Sequence, residues 1–462
     1  MSKGLKKGII LIFIANIINL SLSVIRNFIL PKYLPIDTYA DIKTYQLYIS
    51  YAGFLAFGYI DGMYLKYGGK NIAQINFADF TESLSTFRIL ETLISFFLVC
   101  VGFIRHDTIF VTMALSILFL NIVDFYKCFF QAIGEFSLYS KVLNVSSIFI
   151  FAANMLLLFV VNEYSSAPYL WSYTAIYFGV WIFIEIYFSK KTQTPSLGIK
   201  FSQNQIRENI STGFVLMLGL FISGFMTGVD RWFVKFTMNT ATFARYSFAA
   251  SILGFLSYAV SPVSVTLYNF FCNNKQEEQR KIVKGIICVF AVALVACAFP
   301  VKFILETYLT EYYESTSVLF ILFASQIFFT VIKCFYVNIY KAESKQSIFL
   351  KRMVAVLFIG IVLNIILYAI IRNELAYAIG TLLSACVWFC ISGRDIEGAI
   401  EITQFIYLFS GIVLFIVFGV ALKSYIGMLA YIACILVLSL SMLNRETKYL
   451  IKNAFSLIKK RK

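Results

Sequence analysis

Ionisable side chains stand within or beside long apolar runs at only a few positions. Five of them are cationic and suited to binding an anion: Arg26, Arg88, Lys127, Arg231 and Lys333. An arginine grips a phosphate through paired hydrogen bonds, whereas a lysine supplies a compact point charge. Charged groups inside a bilayer are costly unless they face a cavity or a partner. The pattern therefore predicts a cation-lined cavity for an anionic substrate, although Arg88 could instead reach into water from a membrane edge.

Three carboxylates accompany these cations, and each has a structural alternative. Asp124 stands one helical turn before Lys127, so the two share a helix face and could form a structural ion pair. Asp230 adjoins Arg231, and both could lie just outside the bilayer. Asp61 follows an apolar run and could simply extend from its edge into water.

The composition predicts that these residues are positioned by an all-α integral membrane protein. Of the 462 residues, 60% are hydrophobic and 14% are charged, and the mean hydropathy is +0.81. Soluble domains are roughly half apolar and about a quarter charged. A spanning helix needs about 20 apolar residues. About fourteen runs approach that length, near 8–30, 44–60, 87–104, 108–129, 140–161, 167–188, 211–232, 247–271, 283–304, 317–340, 348–371, 375–393, 402–421 and 425–443.

The basic residues predict the orientation of these helices. Most of the 39 Lys and Arg residues fall in alternate connections, on the side that also holds both termini. Because cytoplasmic loops carry the excess of Lys and Arg, both termini are predicted to be cytoplasmic. The polar stretch 189–210 then becomes a cytoplasmic linker, and the basic tail 444–462 is expected to lie on anionic headgroups.

Three short motifs recur in the same order along the chain. They are R-x-F-[IV] at 26–29 and 231–234, GFLAFG at 53–58 with GFLSYA at 254–259, and KCFF at 127–130 with KCFY at 333–336. Collinear recurrence predicts two homologous six-helix halves around a central cavity, followed by two extra C-terminal helices. The predicted segments are a first half 1–188, the linker 189–210, a second half 211–393, the added helices 394–443 and the tail 444–462. Two facing halves are typical of transporters.

Several chemistries find no support in the sequence. No nucleotide-binding loop, metal-ligand cluster or nucleophile motif is present, so neither a cofactor nor a metal is expected, and the chain is not expected to be an enzyme. A membrane-embedded polysaccharide polymerase is the alternative from the enzyme class. Such an enzyme would need a long external loop, and the predicted external stretch around 302–316 is short.

Three segments resemble the Wzx-type polysaccharide-unit flippases of the multidrug/oligosaccharidyl-lipid/polysaccharide (MOP) exporter superfamily. They are TGVDRWFVKFTMNTATFARYSFAASILGF at 227–255, RNFILPKYLPIDTYADIKTYQLYISYAGFLAFGYIDG at 26–62 and FFQAIGEFSLYSK at 129–141. The resemblance implies a flippase in the bacterial inner membrane, which moves polyprenyl-pyrophosphate-linked oligosaccharide units to the outer leaflet for O-antigen (lipopolysaccharide), capsule or exopolysaccharide assembly.

The resemblance also implies roles for individual residues and for partners. The anionic headgroup would bind Arg26 and Arg231, and coupling to H⁺ or Na⁺ would use Asp124, Asp230 or Asp61. A polysaccharide polymerase and a chain-length protein are the implied partners, and nucleic acid is not. The main alternative is a multidrug or organic-cation antiporter of the same superfamily, which would want acidic cavity residues where basic ones predominate here.

Overall fold

The computed structural model describes residues 3–70, 72–192, 198–273, 276–397 and 401–448. Throughout these ranges the regular secondary structure is helical, and no strand occurs in them. Thirteen of the helical segments are long and apolar enough to cross a membrane. The predicted all-α, multi-pass membrane fold is confirmed. The basic tail lies outside the described residues from position 449 onward.

The chain forms two compact units, Met1–Phe221 and Ile222–Lys462. The helices of the first unit are α1 (Lys3–Tyr33), α2 (Ile36–Ile49), α3 (Tyr59–Tyr67), α4 (Phe77–Ile104), α5 (Thr108–Ala132), α6 (Phe136–Leu156), α7 (Ser166–Thr192) and α8 (Gln203–Met226), within which the boundary falls. The second unit continues with α9 (Val229–Thr237), α10 (Thr240–Asn273), α11 (Glu277–Leu294), α12 (Ala298–Thr307), α13 (Thr316–Val331), α14 (Val337–Ala342), α15 (Gln346–Ile371), α16 (Leu375–Glu397), α17 (Ile402–Ala421) and α18 (Ser424–Met442).

The predicted second span, 44–60, is a broken helix. α2 stops at Ile49, a 3₁₀ turn covers Ala52–Ala56, and α3 starts at Tyr59. Phe57 and Gly58 stand between them in the left-handed region, with φ of 50° and 83°. A left-handed pair cannot continue an α-helix, and glycine adopts this conformation at little cost. This break is why thirteen continuous spans are found where about fourteen apolar runs were predicted.

The predicted span 211–232 also ends differently from expectation. α8 stops at Met226, and Asp230 and Arg231 belong to the separate short helix α9. Thr227 and Gly228 form the turn between the two helices, donating hydrogen bonds to the carbonyls of Gly224 and Phe225. Both residue types are poor helix formers, which explains the stop.

Aromatic side chains build much of the core of the first unit. The rings of Phe80 and Phe129 lie 4.1 Å apart between centroids, and Tyr59 stacks on Phe87 at 5.1 Å. All four are at most 1% exposed. In the second unit α13 occupies the centre, packing against α10, α11, α16 and α17.

Two of the three recurring motifs adopt different local structures in their two copies, whereas 26–29 and 231–234 are both α-helical. The stretch 53–58 includes most of the 3₁₀ turn and the helix break, whereas 254–259 lies within the continuous α10. The stretch 127–130 is α-helical in α5, whereas 333–336 lies in a π-helical turn, Ile332–Tyr336. The duplication and the segment boundaries drawn from it remain predictions.

Glycines allow α3 and α8 to touch backbone to backbone. A Cβ added to Gly213 would lie 2.0 Å from the carbonyl oxygen of Gly58, and one added to Gly62 would lie 2.0 Å from that of Asn209. No side chain fits in such gaps, so small residues set the approach of these helices.

We expect Gly213→Ala to destabilise the protein by about 1–3 kcal/mol, because the added methyl forces α8 away from α3. Gly219→Ala on the same helix is the matched control, since open space surrounds that position. It should be neutral or slightly stabilising through higher helix propensity. Thermal unfolding of the purified protein in detergent measures both, and equal unfolding temperatures for the two variants would contradict the close contact.

Candidate functional site

A cavity of about 350 Å³ lies within the first unit beside Arg26. It is walled by α1, α2, α6 and α7, which supply hydroxyl, amide and apolar side chains around the guanidinium. Its lining residues are Leu22, Ser23, Arg26, Tyr45, Gln46, Ile49, Ser50, Ser147, Ile150, Phe151, Tyr173 and Tyr177. This size is within the usual range of ligand pockets, roughly 300–1,000 Å³.

Arg26 supplies the charge of this cavity. Its side chain is half-buried, and in the described part of the chain it forms no ion pair or hydrogen bond. None of the other described residues that line the cavity is ionised at neutral pH. A half-buried guanidinium with five N–H donors and no protein partner is suited to an anionic ligand.

Two tyrosine side chains in the cavity wall are oriented by hydrogen bonds to residues that do not line the cavity. The Tyr45 hydroxyl donates to Ser116 Oγ at 2.7 Å, and the Tyr173 hydroxyl donates to Asn154 Oδ1 at 2.8 Å. Each phenol is thereby fixed in orientation at the wall of the cavity. Aromatic faces beside hydroxyl groups are a surface on which a sugar ring can pack and hydrogen-bond.

Lys43 is a second buried cation of this region and was not among the site residues predicted from the sequence. Its Nζ donates to Asn27 Oδ1 at 2.7 Å and to Gln46 Oε1 at 3.2 Å, and it lies 5.1 Å from the ring centroid of Tyr39. Lys43 therefore holds Gln46 at the cavity wall. It stands just before the apolar run 44–60, so it looked like a loop residue.

Arg88 lies in a buried ion pair. Its Nη2 is 2.8 Å from Glu185 Oε1 on α7. Glu185 also accepts hydrogen bonds from the Tyr126 hydroxyl at 2.8 Å and from Trp181 Nε1 at 2.9 Å. Glu185 is an acidic residue within the apolar run 167–188. Its position there could have indicated an intramembrane partner for Arg88.

Lys127 and Asp124 form the ion pair on one face of α5 that their spacing allowed. Both side chains are partly exposed. Asp61 lies in the first turn of α3 and is likewise partly exposed. None of these three residues lines the Arg26 cavity.

The remaining site candidates belong to the second unit. Asp230 is 4% exposed, and its Oδ2 accepts a hydrogen bond from the Tyr246 hydroxyl at 2.6 Å. Its Oδ1 accepts from the backbone N–H of Arg231 at 2.9 Å. Lys333 lies in the π-helical turn after α13, a type of distortion often found at functional sites. The structure thus brings Asp230 and Arg231 together, as adjacent residues of α9.

Glu91 was also missed by the sequence analysis. It stands in the apolar run 87–104, and its side chain on α4 is fully buried. Asn121 Nδ2 on α5 donates to Glu91 Oε2 at 3.0 Å. A carboxyl group inside a spanning helix is a functional candidate by position alone.

Comparisons with known proteins find similarity at the level of structure. A solved structure of the lipid II flippase MurJ, in an inward closed conformation, superposes with a TM-score of 0.70 at 14% identity, covering 94% of this chain and 99% of that chain. A MATE structure in complex with MaD3S gives 0.53 at 12% identity, over 86% and 99% of the two chains. An outward-facing MATE multidrug resistance transporter of the MOP superfamily gives 0.51 at 14% identity, also over 86% and 99%.

The sequence itself has no such match. No protein-family model matches it, and no curated protein matches it. The three solved structures described above are of a flippase and of transporters rather than of enzymes. Identities of 12–14% support a comparison of folds. The chain therefore has the all-α membrane transporter fold seen in the lipid II flippase MurJ and in MATE transporters.

Proposed function

We propose that this protein is a flippase that moves a polyprenyl-pyrophosphate-linked oligosaccharide from the cytoplasmic to the outer leaflet of a bacterial cytoplasmic membrane. The observation that carries the proposal is the Arg26 cavity. It offers one unpaired guanidinium among hydroxyl, amide and aromatic side chains in the described part of the first unit.

The chemistry of the walls matches the two polar parts of such a substrate. The guanidinium can bind a pyrophosphate oxygen pair through two parallel hydrogen bonds. Gln46, Ser50 and Tyr177 line the cavity and are less deeply buried, so they can offer hydrogen-bonding groups and an aromatic ring to an adjoining sugar. A volume of about 350 Å³ suits a pyrophosphate with its nearest sugar rather than a whole repeat unit.

A Wzx-type flippase of the MOP superfamily is the best interpretation of sequence and fold together. The segments 26–62, 129–141 and 227–255 resemble that family, and the fold is that of MOP-type transporters. Transport would proceed by alternating exposure of the site to the two sides of the membrane, coupled to H⁺ or Na⁺. In the second unit, Arg231 and Lys333 are candidate anion-binding residues because of their positions in the sequence. Both termini would be cytoplasmic because of the charge asymmetry of the loops.

The second candidate is a multidrug antiporter. The folds of two MATE structures support it, with TM-scores of 0.53 and 0.51. The cation in the first-unit cavity favours the flippase, because a guanidinium repels an organic cation held in the same low-dielectric space.

The test is deletion of the gene in the source organism, with lipid-linked oligosaccharide assayed separately in each leaflet. We expect the completed unit to accumulate on the cytoplasmic side and to return to the outer leaflet when the wild-type protein is restored. If the units reach the outer leaflet but are not polymerised, the protein is a polymerase rather than a flippase. Unchanged glycan together with a gain in drug sensitivity would establish the antiporter instead.

A further inference from the structure

Glu91 is a buried carboxyl group with an incomplete set of partners. It is 0% exposed, and one of its oxygens, Oε2, accepts the hydrogen bond from Asn121. The other oxygen, Oε1, is buried and has no hydrogen-bond partner among the described residues. A carboxylate there would carry its charge in a dry interior against a single neutral donor.

Glu185 shows how this same unit treats a carboxylate that is charged. It has an arginine, a tyrosine hydroxyl and an indole N–H as partners. Buried charges in proteins are paired, whereas buried neutral groups need far less compensation. The two carboxyl groups therefore differ in their environments: the partners of Glu185 suit a charged carboxylate, whereas those of Glu91 suit a neutral carboxylic acid.

The charged groups nearest to Glu91 along the surrounding helices are already engaged. On α4, Arg88 is one turn away and pairs with Glu185. On α5, Asp124 and Lys127 follow Asn121 and pair with each other. The 3₁₀ turn Ala52–Ala56 carries no titratable side chain. No cation from these elements is therefore placed to neutralise a Glu91 carboxylate.

The same amide ties Glu91 to the break in the second helix. Asn121 Nδ2 donates to Glu91 Oε2 and, at 3.2 Å, to the carbonyl oxygen of Ala52. Ala52 is the first residue of the 3₁₀ turn that precedes the left-handed pair Phe57 and Gly58. A change in the charge of Glu91 would alter the hydrogen bond from Asn121 to this turn, which lies at the break between α2 and α3.

We propose that Glu91 is a proton-binding site. In this conformation its carboxyl group carries the proton, and when the Ala52–Ala56 turn moves and admits water the proton passes to a water molecule, leaving a hydrated carboxylate. Only its use in transport rests on the proposed function. There, Glu91 would be a proton-coupling group, in a role for which the sequence suggested Asp61, Asp124 or Asp230.

The test compares wild type, Glu91→Gln and Glu185→Gln in the purified full-length protein. Glutamine at position 91 has the shape of the neutral acid but cannot release a proton. We expect wild type to show the infrared carbonyl band of a protonated carboxyl, lost as the pH is raised. The band should be absent in Glu91→Gln and present in Glu185→Gln. Since the folded state holds the proton, the wild-type unfolding temperature should fall as the pH rises, relative to Glu91→Gln.

Two results would overturn the proposal. One is a carbonyl band that persists in Glu91→Gln, since the protonated group would then lie elsewhere. The other is loss of the wild-type band when sodium chloride replaces choline chloride at constant pH, which would make the site a sodium site. The band is measured without any glycolipid, so a failure of the flippase proposal leaves this result intact. In vesicles with working transport, Glu91→Gln should remove stimulation by a proton gradient.

Discussion

Arg26→Ala is expected to abolish movement of the lipid-linked oligosaccharide while leaving the protein folded and at its normal level in the membrane. The guanidinium has no hydrogen-bond or ion-pair partner in the described structure, so its removal breaks no internal hydrogen bond or ion pair. Loss of hydrogen bonds to a charged ligand costs about 3 kcal/mol, which weakens binding roughly 100-fold. The leaflet assay in the deletion strain measures the effect, with expression level checked in parallel.

Two further variants make the Arg26 experiment specific. Arg26→Lys keeps the charge but loses the paired geometry, so it should rescue transport only in part. Arg105→Ala is the matched control, because this arginine is exposed at the end of α4, away from the cavity. Full rescue by Arg26→Ala, or equal loss in Arg105→Ala, would contradict binding of the headgroup in this cavity.

Glu185→Ala is expected to lower the free energy of unfolding by about 3–5 kcal/mol, because it leaves the Arg88 guanidinium buried without its carboxylate. It also removes the acceptor for Tyr126 and Trp181. Thermal unfolding in detergent measures the loss. A variant as stable as wild type would mean that the pair contributes nothing to the first unit.

The double variant Arg88→Met with Glu185→Leu separates the two roles open to Arg88. Replacing both charges by apolar groups of similar size removes the unpaired charge, so the double variant should be clearly more stable than Glu185→Ala. It should stay below wild type, because Tyr126 and Trp181 still lack their acceptor. If Arg88 binds substrate, as its position in the sequence suggested, the double variant will be stable and inactive. If its role is structural, the variant will be both stable and active, and Arg88 is not a substrate-binding residue.

The spanning helices could be predicted from the sequence because hydropathy is a local property and bilayer thickness sets a minimum length for apolar runs. The described residues contain thirteen helices long and apolar enough to cross a membrane. Both ends of α5, α17 and α18 lie within about three residues of the predicted spans, whereas α4 starts ten residues earlier and ends as predicted. The spacing of Asp124 and Lys127 allowed an ion pair, since residues three apart on a helix share a face, and the structure shows that the pair forms.

Contacts between distant segments could not be predicted from the sequence. The partners Arg88 and Glu185 stand on α4 and α7, and nothing in either local pattern specifies which faces of these helices meet. The break at Phe57 and Gly58 lay hidden in an apolar run, because hydropathy does not report backbone conformation. Glu91 did carry a sequence signal, because it stands in the apolar run 87–104, but only the structure shows that its side chain is fully buried against Asn121.

The sequence by itself therefore determined the class of protein, the approximate course of its helices and the excess of cations over anions among the intramembrane candidates. Only the tertiary structure decided which charges neutralise one another and which remain available. It pairs Arg88 with Glu185 and Lys127 with Asp124, and it leaves Arg26 facing a cavity. The physical reason is that the energy of a charge in a low-dielectric interior depends on the few atoms around it, and packing alone brings those atoms together.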